Sequence, residues 1–506
     1  MFTKKFFRTV LAIVLAASML LSFCSCGSPE AKFEKAQKEE ISKVLDAFFD
    51  SYSNVNASDP QSVDSQVKIT LGTALQNSLK ANTGVSFDWV KDISLKLNSS
   101  VTDSAVSTEA NLKYSNNNLL SVSSIIDMAS GNVYALFPQL ADKYFILATD
   151  SASGSAPIEI WTQSLDSLPS EKDMRKLIDK YIDVVFDNLP EMEVTKGSLE
   201  IDGVSEDGKI YKINFKQSDI LNICKKVFET AVNDKELEAV IVDYCSSLEE
   251  MGSAPAEEIY DSFKDELTEN ISSIDNLLEE LTEDPVYATW TSYLNKKSEI
   301  IGNKIEIPEM EMEFFCGTAQ AKADVRLDFY LTVYGEEYFR INGDLTEKKN
   351  KLTGELKVTY GGKSICFIGV ENFDRNKWED GYLNGSFSVS PSKDGMEFIR
   401  QMVPTEYATF ISTCSLKFDV LSSKNNSNIT ISLMSGNELY FSMNIVSDIN
   451  KGANVNIPGN SQTIEDIEEW AQTVDMEQLI KDVKNSGLPS EIVDMIVGYL
   501  EVIKPV

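Results

Sequence analysis

The sequence predicts an α+β fold: a large curved antiparallel sheet, or two such sheets, covered on one face by amphipathic helices. Three features predict it. Two long regions alternate apolar and polar residues with a period of two, which gives a sheet one buried and one wet face. Other segments carry apolar stripes at i, i+3, i+4 and i+7, the mark of an amphipathic helix. These regions succeed one another as strands, helices, strands, helices, an order that fits either one split sheet or two sheet lobes.

The elements follow in chain order. Ile41, Val44, Leu45, Phe48, Phe49 and Tyr52 make the first helical stripe, and the polar stretch Ser53 to Gln66 reads as a loop. From about 67 to 150 the period is two: Ile93, Leu95 and Leu97 alternate with Ser94, Lys96 and Asn98, and Ala110, Leu112 and Tyr114 repeat the pattern. Ile125 to Phe137 reads as a hairpin turning at Gly131-Asn132, and residues 151–156 as a loop of small residues. Ser170, with Asp173 three residues on, opens a helix striped by Met174, Leu177, Ile178, Tyr181, Val184 and Val185. A strand pair at 193–216 is expected to turn at Asp207-Gly208. A helical block over 219–300 holds three helices, the first lined by Ile220, Ile223 and Cys224, the second by Leu237, Ile241 and Cys245, the third by Phe263, Leu267, Ile274 and Leu281. Residues 305–447 are the longest sheet region, running from Val325, Leu327, Phe329, Leu331 and Val333 to Leu439, Phe441, Met443 and Ile445. Long one-sided strands with short turns predict a strongly curved antiparallel meander. The tail from 462 reads as helical, with Ser490 capping the last helix.

The composition is that of a globular protein, with 42% apolar and 25% charged residues among 506. The formal charge of −33 repels nucleic acid and anionic lipid headgroups, so no nucleic-acid partner is expected. The chain contains no histidine. That excludes Ser-His-Asp and Cys-His catalysis and every histidine-dependent metal site. Catalysis, if any, would have to run on carboxylates, Lys, Tyr or a Ser-Lys pair.

Several patterns invite a site and fail on their context. Gly361-Gly362-Lys363-Ser364 resembles the end of a phosphate-binding loop, but Lys357 stands where that loop needs its first glycine, and a hairpin turn fits better. Ser390-Pro391-Ser392-Lys393 matches a Ser-x-x-Lys nucleophile, without its partner motifs and where a strand is ending. Asp374, Asn376, Asp380 and Gly381 lack the spacing of a calcium loop and read as a solvated turn. The acidic run Glu257 to Glu283 keeps an intact apolar stripe, so it is the wet face of a helix. Trp89, Trp161, Trp290, Trp378 and Trp470 are scattered and read as core or rim anchors. No catalytic residue, metal ligand or cofactor site is expected.

The amino terminus is more specific. Lys4, Lys5 and Arg8 precede an apolar run from Val10 to Leu21, too short to span a bilayer comfortably but suited to an export signal. Phe23-Cys24-Ser25-Cys26-Gly27-Ser28 follows and resembles the lipobox of bacterial lipoproteins, in which a small residue precedes an invariant cysteine. Ser25 fits that small position; Cys24 departs from the usual small or aliphatic residue. The resemblance implies that Cys26 is lipidated, that cleavage makes it the amino terminus, and that the protein is held on the extracytoplasmic face of the cell membrane. Two acyl chains hold a protein where one does not, at about 0.8 kcal/mol per buried methylene. Loss of residues 1–25 removes three cations and takes the charge to −36, from 43 basic and 79 acidic residues.

Five cysteines remain beyond the anchor, an odd number that leaves at least one free or intermolecular thiol. Cys224 and Cys245 fall on successive predicted helices, so a disulfide between them is open; the favoured reading makes both small core residues on apolar faces.

The expected organisation is a signal peptide at 1–25, a lipidated cysteine and short tether at 26–31, an N-terminal helix with antiparallel strands and an inserted helix at 32–217, a helical segment at 218–303, a long meander at 304–460 and C-terminal helices at 461–506. A lipid-anchored chain of this architecture resembles the half-barrel lipoprotein carriers, the LolA-like and mycobacterial LppX/LprG-like envelope proteins, though it is about twice their length. Ile126-Asp127-Met128 through Val133-Tyr134-Ala135-Leu136-Phe137-Pro138, and Gly487-Leu488-Pro489 between helices, are similar to segments of clostridial lipoproteins. The resemblance implies acyl chains held between sheet and helices, and carries no catalytic residue. The expected function is therefore non-enzymatic binding of a hydrophobic or amphipathic small-molecule ligand. An envelope structural or interaction protein without a small ligand is the alternative, followed by a carboxylate-dependent glycan hydrolase with two facing acids in an aromatic-lined cleft. The sequence names no protein partner.

Overall fold

The computed structural model describes residues 29–55, 60–102, 104–115, 117–128, 130–141, 143–147, 170–249, 255–403, 411, 413–464 and 474–503. The expected signal peptide, Cys26, the expected loop at 151–156, Trp161 and Trp470 lie outside them. The elements, in order, are α1 (Pro29–Val55), β1 (Gln61–Leu71), α2 (Thr73–Thr83), β2 (Ile93–Val101), β3 (Ala105–Tyr114), β4 (Asn117–Asp127), β5 (Val133–Leu136), β6 (Tyr144–Leu147) and α3 (Glu171–Phe186). They continue with β7 (Met192–Ile201), β8 (Val204–Lys216), α4 (Gln217–Val232), α5 (Lys235–Glu249), α6 (Ala256–Glu280), β9 (Val286–Asn295), β10 (Ile300–Ile307), β11 (Met312–Ala321), β12 (Asp324–Val333), β13 (Glu336–Lys348), β14 (Lys351–Tyr360) and β15 (Lys363–Asp374). The last are α7 (Arg375–Glu379), β16 (Asn384–Pro391), α8 (Lys393–Met402), β17 (Cys414–Ser422), β18 (Asn426–Ser435), β19 (Glu438–Lys451), β20 (Ser461–Ile464), α9 (Met476–Lys484) and α10 (Ser490–Ile503). The fold class is α+β, with antiparallel sheet and helices in separate blocks.

The chain forms two compact units: Met1–Asn56 with Gln163–Lys349 and Thr353–Cys366, and Ala57–Thr162 with Asn350–Leu352 and Phe367–Val506. The expected sequential partition at 32–217, 218–303 and 304–460 does not correspond to these units, because strands far apart in sequence complete one sheet. In the second unit β19 pairs with β1 from Gln61↔Lys451 to Leu71↔Phe441, and the strand order is β16-β17-β18-β19-β1-β2-β3-β4-β5-β6-β20. Every pair there is antiparallel except β6–β20, which is parallel. Two segments read as loop or helix are strands here. β1 begins at Gln61, inside the expected 53–66 loop, because its polar residues pair on both sides and Ser65 meets Ser447 through their hydroxyls at 2.8 Å. β20 begins at Ser461, ahead of the C-terminal helices.

In the first unit β7 to β13 form a continuous antiparallel meander. Here the expected helical block ends early: α6 stops at Glu280 and β9 follows. β9 escaped detection because both its faces are covered, which erases alternation: Ala288, Trp290 and Thr291 are all buried. Helix α1 likewise starts at Pro29, within the expected tether. Ser170 caps α3 as expected, accepting from the Asp173 amide.

The β7–β8 turn lies at Asp202-Gly203, not at Asp207-Gly208. Ile201 pairs with Val204 across it, and both turn residues have positive φ, 45° and 77°. That is the geometry a two-residue hairpin loop requires. Gly208 serves a different purpose, since a Cβ there would lie 1.9 Å from the Leu294 carbonyl oxygen on β9. Gly208→Ala is expected to cost about 1–3 kcal/mol, because backbone must move to admit the methyl. A lowered melting midpoint checks this; an unchanged one would show that β8 and β9 separate freely.

The core of this unit joins helices and sheet. Phe33 and Ala36 of α1, Ile220, Leu221 and Cys224 of α4 and Ile274 of α6 share one buried cluster with Tyr211, Ile213, Phe215, Ala288 and Trp290 of the sheet. Phe33 stacks on Tyr211 at 5.7 Å and meets Trp290 edge-on at 5.1 Å. A second cluster occupies the other sheet face, where Leu199, Ile201 and Val204 of the β7–β8 hairpin pack on Ile301, Phe315 and Ala319. The hairpin reaches strands two and three places away, and Glu206 accepts from the Gln320 amide at 2.8 Å. A flat sheet could not make that contact, so the sheet is strongly curved.

Candidate functional site

Beside the first cluster, on the same sheet face, the packing opens into a cavity of about 1000 Å³. That is the upper end of the range for small-molecule sites, roughly 300–1,000 Å³. Its wall is a ladder of cross-strand apolar neighbours. Phe314 of β11 stands opposite Ile305 and Leu331, Met312 opposite Ile307, Cys316 opposite Phe329, and Phe329 opposite Ile341. Phe314 and Phe329 meet edge-on at 5.3 Å. The alternation of β12 read from the sequence thus puts Leu327, Phe329 and Leu331 on one face, where they line open space.

Helix α1 crosses this face. Gln37, Glu40, Ile41 and Val44 line the cavity one and two turns beyond the core residues Phe33 and Ala36. Two ion pairs join the helix to α3 on its other side, Lys38 with Asp183 and Asp46 with Arg175 at 2.8 Å, and Glu171 of α3 steadies the same arginine at 2.8 Å. Val44 and Tyr334 are exposed and mark the mouth.

Where solid core gives way to cavity there is a polar node. Asn303 Oδ1 accepts from Trp290 Nε1 at 3.2 Å, from Gln37 Nε2 at 3.1 Å and from the Ser292 hydroxyl; Gln37 Nε2 also donates to Ser292 Oγ at 2.7 Å. Gln37 and Ser292 are buried. Sequence reasoning missed this node because a polar residue in a strand reads as outward-facing. The available signal was the phase: Asn303 and Ser292 share the parity of the apolar residues Ile305, Ile307 and Trp290 on their own strands.

The reverse face of the same strands is charged. Arg340 grips Asp328 with two bonds of 2.8 Å and lies 5.4 Å from the Tyr330 ring, while Tyr330 donates to Glu313. Burial pushes the Asp328 carboxyl above its ordinary range, and the Arg340 pairing only partly offsets this.

The cysteines are all free among the described residues. Cys224 and Cys245 are separate buried thiols, so the disulfide left open by the sequence is absent, and burial pushes Cys224 up to about 11. Cys316 is exposed, through the cavity, and its pKa is raised by the surrounding protein and by Asp328.

The weaker motifs fall apart spatially. Gly361 and Gly362, with φ of 55° and 70°, form the turn between β14 and β15. Ser390 is the penultimate residue of β16, and Ser392 caps α8, whose first residue is Lys393; a helix does start there, but Lys393 is not a turn inside it. Asp374 caps α7, and no group of metal-ligating side chains occurs among the described residues. A second depression, on α3 and the start of α5, brings Asp179 and Asp183 beside Lys172, Arg175 and Lys176, and none of its lining residues is aromatic. Burial and Asp183 raise the Asp179 carboxyl.

No family model matches this chain, and no curated protein matches it either. Among solved structures, intact Ap-TbpB with its N and C lobes aligns at 6% identity over 78% of each chain, with a TM-score of 0.11, a likeness that carries no argument.

Proposed function

We propose that this chain is a lipid-anchored extracytoplasmic protein, held by an acylated Cys26, that binds a hydrophobic or amphipathic ligand without transforming it. The observation that carries the reading is the apolar cavity of about 1000 Å³ between the β10–β14 face and α1. In this reading the helices roof the sheet, α4 and α6 over its solid half and α1 over its open half. Covering this apolar wall with an apolar guest removes it from water, which is favourable.

Native mass spectrometry on the chain from Gly27, followed by organic extraction, tests it. The protein is expected to carry near-stoichiometric lipid. Stripping it should open Cys316 to maleimide, slowly at about pH 7 and faster towards about pH 9, since the raised pKa keeps the thiol protonated. Reloading should protect Cys316 at least tenfold, roughly the effect of 1.4 kcal/mol. A clean apo mass with no uptake and no protection would sink the reading. The interaction-protein reading would then stand on α10, where Met495, Tyr499 and Val502 are exposed along one stripe.

A further inference from the structure

We infer that the cavity selects an uncharged amphiphile, one whose head both donates and accepts hydrogen bonds, and rejects anionic lipids. This rests on the ligand-binding reading above and adds the class of ligand. Two independent features carry it.

The first is the polar node, whose amide orientations are fixed by donor logic. An indole N–H can only donate, so Asn303 must turn Oδ1 towards Trp290. Gln37 then has to meet that oxygen with Nε2. Asn303 Nδ2 and Gln37 Oε1 take no part in the node's bonds, and both residues line the cavity. One donor and one acceptor, both neutral, are therefore left for a guest. A hydroxyl or an amide satisfies both; a carboxylate satisfies only the donor and brings its charge beside the acceptor oxygen.

The second feature is the charge of the lining. Among the described residues the charged ones lining it are Glu40 and Glu309, with no lysine or arginine. Glu40 is paired with Lys43 at 2.7 Å, whereas exposed Glu309 has no ion pair among the described residues. An anionic head has no counter-charge inside and a repelling one outside, and burying an unpaired charge is strongly unfavourable. A cation would find Glu309 at the mouth, but the inner node offers it a donor it cannot use.

Equilibrium binding to the delipidated chain from Gly27, at about pH 8 where the carboxylates are ionised, should be compared for monopalmitoylglycerol, palmitate and hexadecylamine. The neutral probe is expected to bind at least tenfold tighter than palmitate, about 1.4 kcal/mol. Asn303→Asp keeps an acceptor for Trp290, Ser292 and Gln37 but removes the free donor. It should weaken the neutral probe about tenfold and strengthen the amine. Glu309→Gln, at the mouth, should narrow the gap between palmitate and the neutral probe. Palmitate or the amine binding as tightly as the neutral probe overturns the charge assignment and leaves the binding reading standing. Failure of all three probes overturns both.

Discussion

Tryptophan at both Leu331 and Ile341 is expected to abolish ligand uptake, by at least a hundredfold, without loss of fold. Both side chains stand on the cavity wall, Leu331 opposite Phe314 and Ile341 opposite Phe329. The experiment separates two accounts that share every apolar stripe in the sequence. Adding bulk to a filled core forces off-rotamer side chains and costs about 1–3 kcal/mol per site. Adding bulk to an empty volume removes cavity instead, and cavity costs about 24 cal/mol per Å³. The ligand-free double variant should therefore melt at or above the midpoint of the parent chain, while its lipid signal in native mass spectrometry disappears. A variant that melts well below the parent would mean that the β11–β13 face is already packed. One that melts normally and still takes up lipid would place the ligand elsewhere.

The need for that experiment shows where the sequence stops being legible. The period of two in Val325 to Val333 identified the strand and its buried face, because a half-buried strand must alternate. The same residues would build a packed core or a cavity wall, and only the position of α1 across them decides. Ser170 and Asp173 announced a helix start because a cap is a local bond. Asp207-Gly208 misled because its glycine answers to Leu294, a residue far along the chain. β9 was invisible for a related reason: with helices and core on one face and more sheet on the other, its polar Ser292 and Thr291 are buried, and no alternation survives. The site was legible in part. Leu327, Phe329 and Leu331 could be named as one face from sequence, whereas the Gln37–Asn303 contact joins residues more than two hundred and fifty positions apart.

Arg340→Ala is expected to destabilise the first unit by about 2–4 kcal/mol. Breaking a buried pair by removing one partner costs about 3–5 kcal/mol, and the partly exposed guanidinium places this pair somewhat below that range. What is lost is chiefly the accommodation of Asp328, which is buried and has no second cation bonded to it among the described residues. The pH dependence identifies the mechanism. Asp328 already has a raised pKa, since burial outweighs Arg340, so the folded state holds this proton to higher pH than the unfolded chain does. Lowering the pH from the raised value towards the ordinary carboxylate value therefore favours the folded state at this group. Removing Arg340 takes away the largest lowering influence and raises the carboxyl further. The stability deficit of Arg340→Ala should then shrink as the pH falls from about 7.5 towards about 5, measured as the difference in melting midpoint from the parent. Asp328→Asn in the same background should recover much of the loss, because an amide in that position leaves no stranded charge. If the second substitution recovers nothing and the deficit is flat with pH, the role of Arg340 is its packing against Tyr330, and the charged face of the sheet is held by shape rather than by its ion pairs.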